Sequence, residues 1–251
     1  MRNKRPPQVR SMSSLLRQRK GSHVGVVISF VLFITFIVFM YTILNYRIGF
    51  GENKKASLEQ IKEAVKGEIS ENLTTVSIGI TEVNPSCVQL DNFFGKTQAS
   101  DKLLVKSDSG SALVTSKSGN DLFVETEGNT FFRVSESGEF SVVSTGIISS
   151  CQLLQESLGY VLGLSKTEDL IFESKMLNLL NNYTQNYSGL KKNLGISDED
   201  EFGFIFTYSN STQVRTPEKN LTIDIYAERV PVQYIKISGE REVGFIDTIV
   251  W

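Results

Sequence analysis

The sequence predicts an α+β protein. One N-terminal transmembrane helix leads into an extracytoplasmic β-rich region, read as an antiparallel meander, and then into a C-terminal helix-plus-sheet lobe. Three observations predict this. Val24–Leu44, VGVVISFVLFITFIVFMYTIL, holds no charge and no proline. Glycines at 110, 119, 128, 138 and 146 recur at steps of nine, nine, ten and eight, each inside a polar cluster. Beyond Ser165 the apolar period becomes helical and then returns to strand alternation, which holds as far as Trp251.

The 21 residues Val24–Leu44 cover about 30 Å as a helix, the thickness of a bilayer's hydrocarbon core. Core helices of soluble domains are seldom apolar on every face for this length. Seven Lys or Arg precede the stretch, and the first acid of the chain is Glu52. Basic residues stay on the cytoplasmic side, so 1–23 reads as a cytoplasmic tail, 24–45 as the membrane span and Tyr46 onward as outside. The run is longer than the core of a secretory signal, and Asn45-Tyr46-Arg47 offers no small-residue cleavage site, so a retained signal anchor is expected.

Residues 1–50 hold eight of the 26 basic residues and none of the 28 acidic ones, which leaves a balance of −10 beyond residue 50. An acidic exterior lacks the basic footprint that nucleic acid requires, so no nucleic-acid partner is expected. The bilayer is the expected partner, together with other surface or pilus-like proteins.

Lys20-Gly21 stands directly before Ser22-His23-Val24 and the apolar run. A basic residue and a glycine abutting a hydrophobic helix resemble the class III signal of type IV pilins and related archaeal surface proteins. Ser22-His23-Val24 is similar to the Ser-Pro-Val that opens many archaeal pilins, with His23 in place of proline. The resemblance covers about 25 residues. It implies a cut between Gly21 and Ser22 and an apolar helix that becomes the core of a filament. Two departures stand beside it. Val26 occupies the position where bacterial members carry an acid, and Gly49-Phe50-Gly51 is expected to break a helix that pilins continue.

Residues 46–56 read as a linker within a segment 46–71. Ser57-Leu58-Glu59-Gln60 has capping-box spacing, and Leu58, Ile61, Val65 and Ile69 follow at helical intervals, which predicts an amphipathic helix over 58–69 packed on the domain behind it. The β-rich lobe, 72–155, opens with Val76, Ile78 and Ile80 in alternation and a second strand at 87–90. Five runs, 103–106, 112–115, 121–126, 130–135 and 139–143, then lie between the spaced glycines. Glycine admits the positive φ of tight hairpin turns, so the step of about nine residues predicts a meander of about five strands, with a repeat solenoid as the alternative.

A short helix on Leu154, Leu158, Val161 and Leu162 is expected across the start of the lobe 156–251. A longer helix is predicted over 166–184, with Ser165 and Glu168 at capping-box spacing and Phe172, Met176, Leu179, Leu180 and Tyr183 as its stripe. A turn of helix at 189–194 ends at Gly195. Strands follow at 202–206, 221–225 and 230–235, where Pro231 marks an edge. After a turn at 238–240, Val243, Phe245, Ile249 and Trp251 share a face on a strand docked in the sheet. Two lobes or one α+β domain both fit this reading.

The two cysteines, Cys87 and Cys151, both fall on the outer side, where a disulfide is the expected state and two unpaired buried thiols the alternative. A bridge would close a loop of about 65 residues, worth about 4 kcal/mol in the loop-entropy model. The single histidine, His23, lies at the inner membrane edge, which leaves the exterior without a Ser-His-acid arrangement or a His-based zinc site. Phe94-Gly95-Lys96-Thr97 ends like a phosphate loop but has Leu90 where the first glycine belongs. Asp198-Glu199-Asp200-Glu201 lacks the spacing of a calcium loop and reads as a solvated turn. No catalytic, cofactor or metal residue is therefore assigned, and no cofactor is expected. Five N-glycosylation motifs lie outside, at Asn72, Asn182, Asn186, Asn210 and Asn220. The expected function is a membrane-tethered binding or structural protein of the cell surface. The alternatives are a pilin-like subunit, which a mature N-terminus at Ser22 would mark, and an exterior enzyme working with carboxylates and tyrosines.

Overall fold

The computed structural model describes residues 23–81, 85–217 and 225–251. The protein is mixed α+β: an N-terminal apolar helix, a β-rich region, then a C-terminal helix and sheet. It divides into two compact units, Met1–Glu52 and Asn53–Trp251.

The described part of the first unit is helical. It belongs to α1, His23–Ile69, a helix of 47 residues whose C-terminal portion falls in the second unit. The linker expected at 46–56 is thus helix, and Gly49-Phe50-Gly51 does not interrupt it. Each glycine disfavours helix by about 1 kcal/mol, a local cost set against helix-forming segments on both sides that propagate one hydrogen bond per residue.

In the second unit the predicted stripe is the one that is buried. Leu58, Ile61, Val65 and Ile69 all lie in the core, and Val65 and Ile69 are completely enclosed. The chain passes directly from α1 into β1 (Ser70–Ile80). There follow β2 (Val88–Leu90), the short helix α2 (Phe93–Thr97), β3 (Leu103–Ser107), β4 (Thr115–Ser118), β5 (Asp121–Val124), β6 (Phe131–Glu136), β7 (Ser144–Thr145), β8 (Gln152–Leu154) and β9 (Tyr160–Phe172). Helices α3 (Glu173–Gln185) and α4 (Tyr187–Asn193) precede β10 (Phe202–Thr207), β11 (Gln213–Arg215), β12 (Tyr226–Ile235) and β13 (Arg241–Val250).

Two sheets result. An eight-stranded sheet runs β11-β10-β13-β12-β9-β1-β6-β3, and a five-stranded sheet runs β7-β4-β5-β2-β8. The larger sheet takes strands from both sides of residue 155, so the two lobes read from the sequence share one sheet. Two main cores remain distinct. One is built from the end of α1, α3, α4 and the strands after β9, with Met176, Phe202, Phe204, Phe206 and Tyr234 at its centre. The other lies between the sheets and holds Ile78, Leu90, Leu122, Phe132 and Tyr160. A small third core joins Leu73, Leu170, Phe172 and Ile235 beneath Phe140.

The five glycine-spaced runs do not form one ribbon. β3 skips its sequence neighbours to pair with β6, while β4 and β5 form a hairpin in the other sheet. The fifth run, 139–143, makes only an isolated bridge at Val142. Runs apolar on both faces are best covered by splitting between two sheets that close on each other, which buries Leu122, Val124, Phe132 and Val134 in one core.

The short helix expected around Leu154–Leu162 is absent, and the helix expected from 166 starts only at Glu173. Residues 160–172 are strand instead, paired with β1 from Ser70↔Ile171 to Ile80↔Tyr160 around a bulge at Val76/Ile78. Ser165 and Glu168 therefore form no capping box, and Phe172 precedes α3 without a side-chain cap. A ten-pair ladder outweighs the ~1 kcal/mol of one cap. From Met176 on, the predicted stripe is correct, and Gly195 takes the left-handed φ of +66° after α4.

At the C-terminal end β13 lies between β10 and β12, so the last strand is docked as expected. Within the strand its buried face is the opposite one, however. Gly244, Ile246, Thr248 and Val250 point to the core, while Val243 and Phe245 remain exposed and Ile249 is half-buried; of the expected face only Trp251, just past the strand, is buried. β12 pairs with β13 along its length and with β9 only at Tyr234 and Ile235. Pro231 therefore sits on an edge among the described residues, where a missing N–H leaves no ladder bond unmade. The strand expected at 221–225 lies outside the described residues apart from Ile225.

Candidate functional site

The apolar helix is the first functional element. Val24–Leu44 is the one described helical stretch long and apolar enough to cross a membrane, and none of it is buried by the protein. The hydroxyls of its two threonines are satisfied within the helix. Thr35 Oγ1 donates to Val31 O and Leu32 O at 3.0 and 2.9 Å, and Thr42 Oγ1 to Val38 O and Phe39 O at 3.0 and 2.8 Å. Such back-bonding lets both threonines sit on an apolar helix surface with their hydroxyls met. The proposed cut at Gly21 and Ser22 lies outside the described residues.

Cys87 and Cys151 lie at disulfide distance, with Cα atoms 4.5 Å apart. Each directly precedes one of two parallel neighbours, β2 and β8, whose register starts at Val88↔Gln152. Matched parallel strands bring the preceding residues side by side, within the span a bridge needs.

Two surface cavities gather polar side chains. The larger, about 720 Å³, lies where the end of α1 meets the 195–200 loop and includes Ser57, Gln60, Lys192, Asp198 and Asp200. Lys54 Nζ lies 2.6 Å from Asp200 Oδ1, and Gln60 Nε2 donates to Gly195 O at 3.2 Å. Burial works against the Asp200 charge, but the Lys54 ammonium and the Ser57 hydroxyl outweigh it and hold the carboxyl below its ordinary pKa. The acidic run 198–201 is thus partly neutralised rather than wholly solvated, since Lys191 also reaches Glu201 Oε1 at 3.2 Å.

The second cavity, about 320 Å³, is lined by Glu173, Tyr208, Ser209, Asn210, Thr212, Tyr234 and Lys236. The β12–β13 hairpin places Tyr234 opposite Glu242, and Tyr234 Oη donates to Glu242 Oε2 at 2.7 Å. Ser209 Oγ donates to the same oxygen, and Lys236 pairs with Glu242 Oε1. The Lys236 ammonium, then Ser209 and Tyr234, pull the Glu242 carboxyl down to about 2. Burial, and then the Glu173 carboxylate, push the Tyr208 phenol up. Burial and Glu242 do the same to Tyr234. Acid–base chemistry near neutral pH asks for groups that titrate there, and these are displaced away from it on both sides. Among the described residues no cluster of three or more His, Cys, Asp or Glu is arranged to hold a metal ion.

The glycosylation motifs separate by local structure. Asn72 is exposed on β1, paired with Asp169. Asn182 is exposed on α3. Asn186 stands between the helices, and its Oδ1 accepts from Gly189 N at 3.1 Å to cap α4. Asn210 is exposed in the β10–β11 hairpin turn. Asn220 lies outside the described residues. The grouping of Tyr208, Tyr234, Glu173 and Glu242 was not legible from the sequence. Only the Tyr234–Glu242 half carried a signal, the turn at 238–240 that sets their register.

Comparison with protein-family models, with curated proteins and with solved structures finds no match for this chain.

Proposed function

We propose that the protein is a single-pass, membrane-tethered binding or structural protein of the cell surface, with the basic tail inside and Asn53–Trp251 outside. The observation that carries this is the helix Val24–Leu44, apolar throughout and left unburied among the described residues. Leaving 21 such residues in water forfeits a stabilisation of about 25 cal/mol for each Å² of apolar surface, and a bilayer supplies the missing cover. The seven basic residues before the helix support the orientation. The cysteine pair at disulfide distance fits an oxidising exterior. The bilayer is one partner, and other surface proteins are the partners of the outer unit.

A second reading has its own support. A pilin-like subunit requires its helix to continue past the apolar run, and α1 continues through Gly49 and Gly51 to Ile69. In that reading the charged leader is removed between Gly21 and Ser22, because seven unpaired charges cannot enter an apolar filament core.

Protease added to intact cells is expected to digest beyond residue 56 and to spare the first 20 residues. A protected C-terminal unit would overturn the orientation. N-terminal sequencing of protein from its own source separates the two readings: Met1 retained leaves the tether, and a start at Ser22 replaces it with the filament subunit.

A further inference from the structure

The glycosylation motifs differ in one respect that depends on the folded chain, the position of the hydroxyl two residues after the asparagine. In β1 the Thr74 hydroxyl is hydrogen-bonded to Thr167 Oγ1 at 2.9 Å, across to β9. In α3 the Thr184 hydroxyl donates back to Leu180 O at 2.8 Å. In the β10–β11 turn, Thr212 Oγ1 lies 2.7 Å from Asn210 Oδ1, and Thr212 N donates to the same oxygen at 3.0 Å. A backbone N–H can only donate, so the atom facing it is the carboxamide oxygen, and Nδ2 is turned the other way. Among the described residues Asn210 Nδ2 makes no hydrogen bond, and the turn is exposed from Ser209 to Thr212. Ser211 holds the turn with a left-handed φ of +67°.

The same asparagine borders the 320 Å³ cavity, whose wall carries the half-buried Tyr208, the Ser209 hydroxyl and the Lys236 ammonium, with the fully buried Tyr234 ring packed behind Tyr208. A partly exposed tyrosine beside a few fixed polar groups suits a pyranose, which presents an apolar ring face and a rim of hydroxyls.

We infer that Asn210 is an N-linked glycosylation site and that the cavity beside it receives the first sugar of the glycan. The inference rests on the outer placement proposed above. The donor is a lipid-linked oligosaccharide used by a transferase on the outer face of the membrane. Asn210 Nδ2 attacks the anomeric carbon, an N–C bond forms, and the C–O bond to the lipid phosphate breaks. The lipid phosphate leaves with the bonding pair, and the amide proton passes to a base of the transferase.

Glycopeptide mass spectrometry on the full chain, purified from its own source, tests this. The peptide spanning Tyr208–Arg215 is expected to carry a saccharide mass. Thr212→Ala is expected to abolish that mass, Thr212→Ser to retain it, and Asn210→Gln to remove it while lowering the Tm, because a cradled sugar adds contacts to the fold. A bare Asn210 in the native protein overturns the site, whatever the other motifs carry. An unchanged Tm in Asn210→Gln overturns the cradle. The protease digestion of intact cells is run in parallel: a bare Asn210 on a protease-accessible unit refutes the site alone, and on a protected unit it refutes the outer placement as well.

Discussion

Glu168 on β9 receives Arg241 Nη2 at 2.8 Å from the first residue of β13, so one carboxylate links strands that belong to the two halves of the large sheet. Lys166 Nζ lies at 2.8 Å from its other oxygen. The Arg241 guanidinium first, and Lys166 after it, draw the Glu168 carboxyl down from its ordinary value to about 2. A carboxyl lowered in the folded chain stabilises the fold above its unfolded pKa and loses that contribution as pH falls through the folded value. Glu168→Gln is therefore expected to lower the Tm modestly at pH 7. The difference from the parent should shrink between about pH 4.5 and pH 2 and vanish below. A Tm gap that persists at pH 2 would show that packing, not charge, is responsible. The effect is small because the pair is solvent-exposed and screened.

The cysteine pair leads to a second expectation. Non-reducing mass spectrometry should recover the Cys87 and Cys151 peptides joined, and alkylation of both in unreduced protein would contradict it. Cys151→Ser should destabilise the Asn53–Trp251 unit by up to about 4 kcal/mol on the loop-entropy model, and the apolar helix should still partition with the membrane fraction.

Two residues on one turn of α1 give a third. Ile61 is 2 % exposed in the core, whereas Glu63 is exposed. Ile61→Ala should cost about 2–5 kcal/mol in chemical denaturation of the full chain in detergent, and Glu63→Ala no more than about 0.5 kcal/mol. Equal costs would mean that α1 does not dock on the sheet by this face.

Continuity of α1 is tested at its glycines. Replacing Gly49 and Gly51 with Ala should stabilise helix by up to about 1 kcal/mol each and leave helical circular dichroism undiminished. Gly51→Pro should break the helix and reduce that signal. A loss of helix on Ala substitution would indicate a non-helical backbone there.

How much of this was legible in the residues depended on range. The apolar span, the buried stripe Leu58-Ile61-Val65-Ile69, the Gly195 cap and the turn at 238–240 are local patterns, set by a few neighbouring side chains and by the φ freedom of glycine. They appear in the structure where the sequence places them. The break at Gly49–Gly51 was misread because a local propensity of about 1 kcal/mol was weighed without the long helical segments on either side.

Sequence by itself determined an α+β chain with one apolar helix at its start, because hydrophobic periodicity and run length are properties of the chain alone. Tertiary structure decided the rest. Residues 160–172 became strand because β1 offered a ten-pair ladder that no local signal could announce. The glycine-spaced runs were shared between two sheets because strands apolar on both faces require cover on both. The face of β13 that is buried was chosen by the helices packed against it, which left Phe245 outside and Ile246 within. Tyr208, Tyr234 and Glu173 met at one cavity, with Glu242 bonded to Tyr234 behind it, for the same reason: long-range pairing brings together residues whose spacing in the chain carries no period.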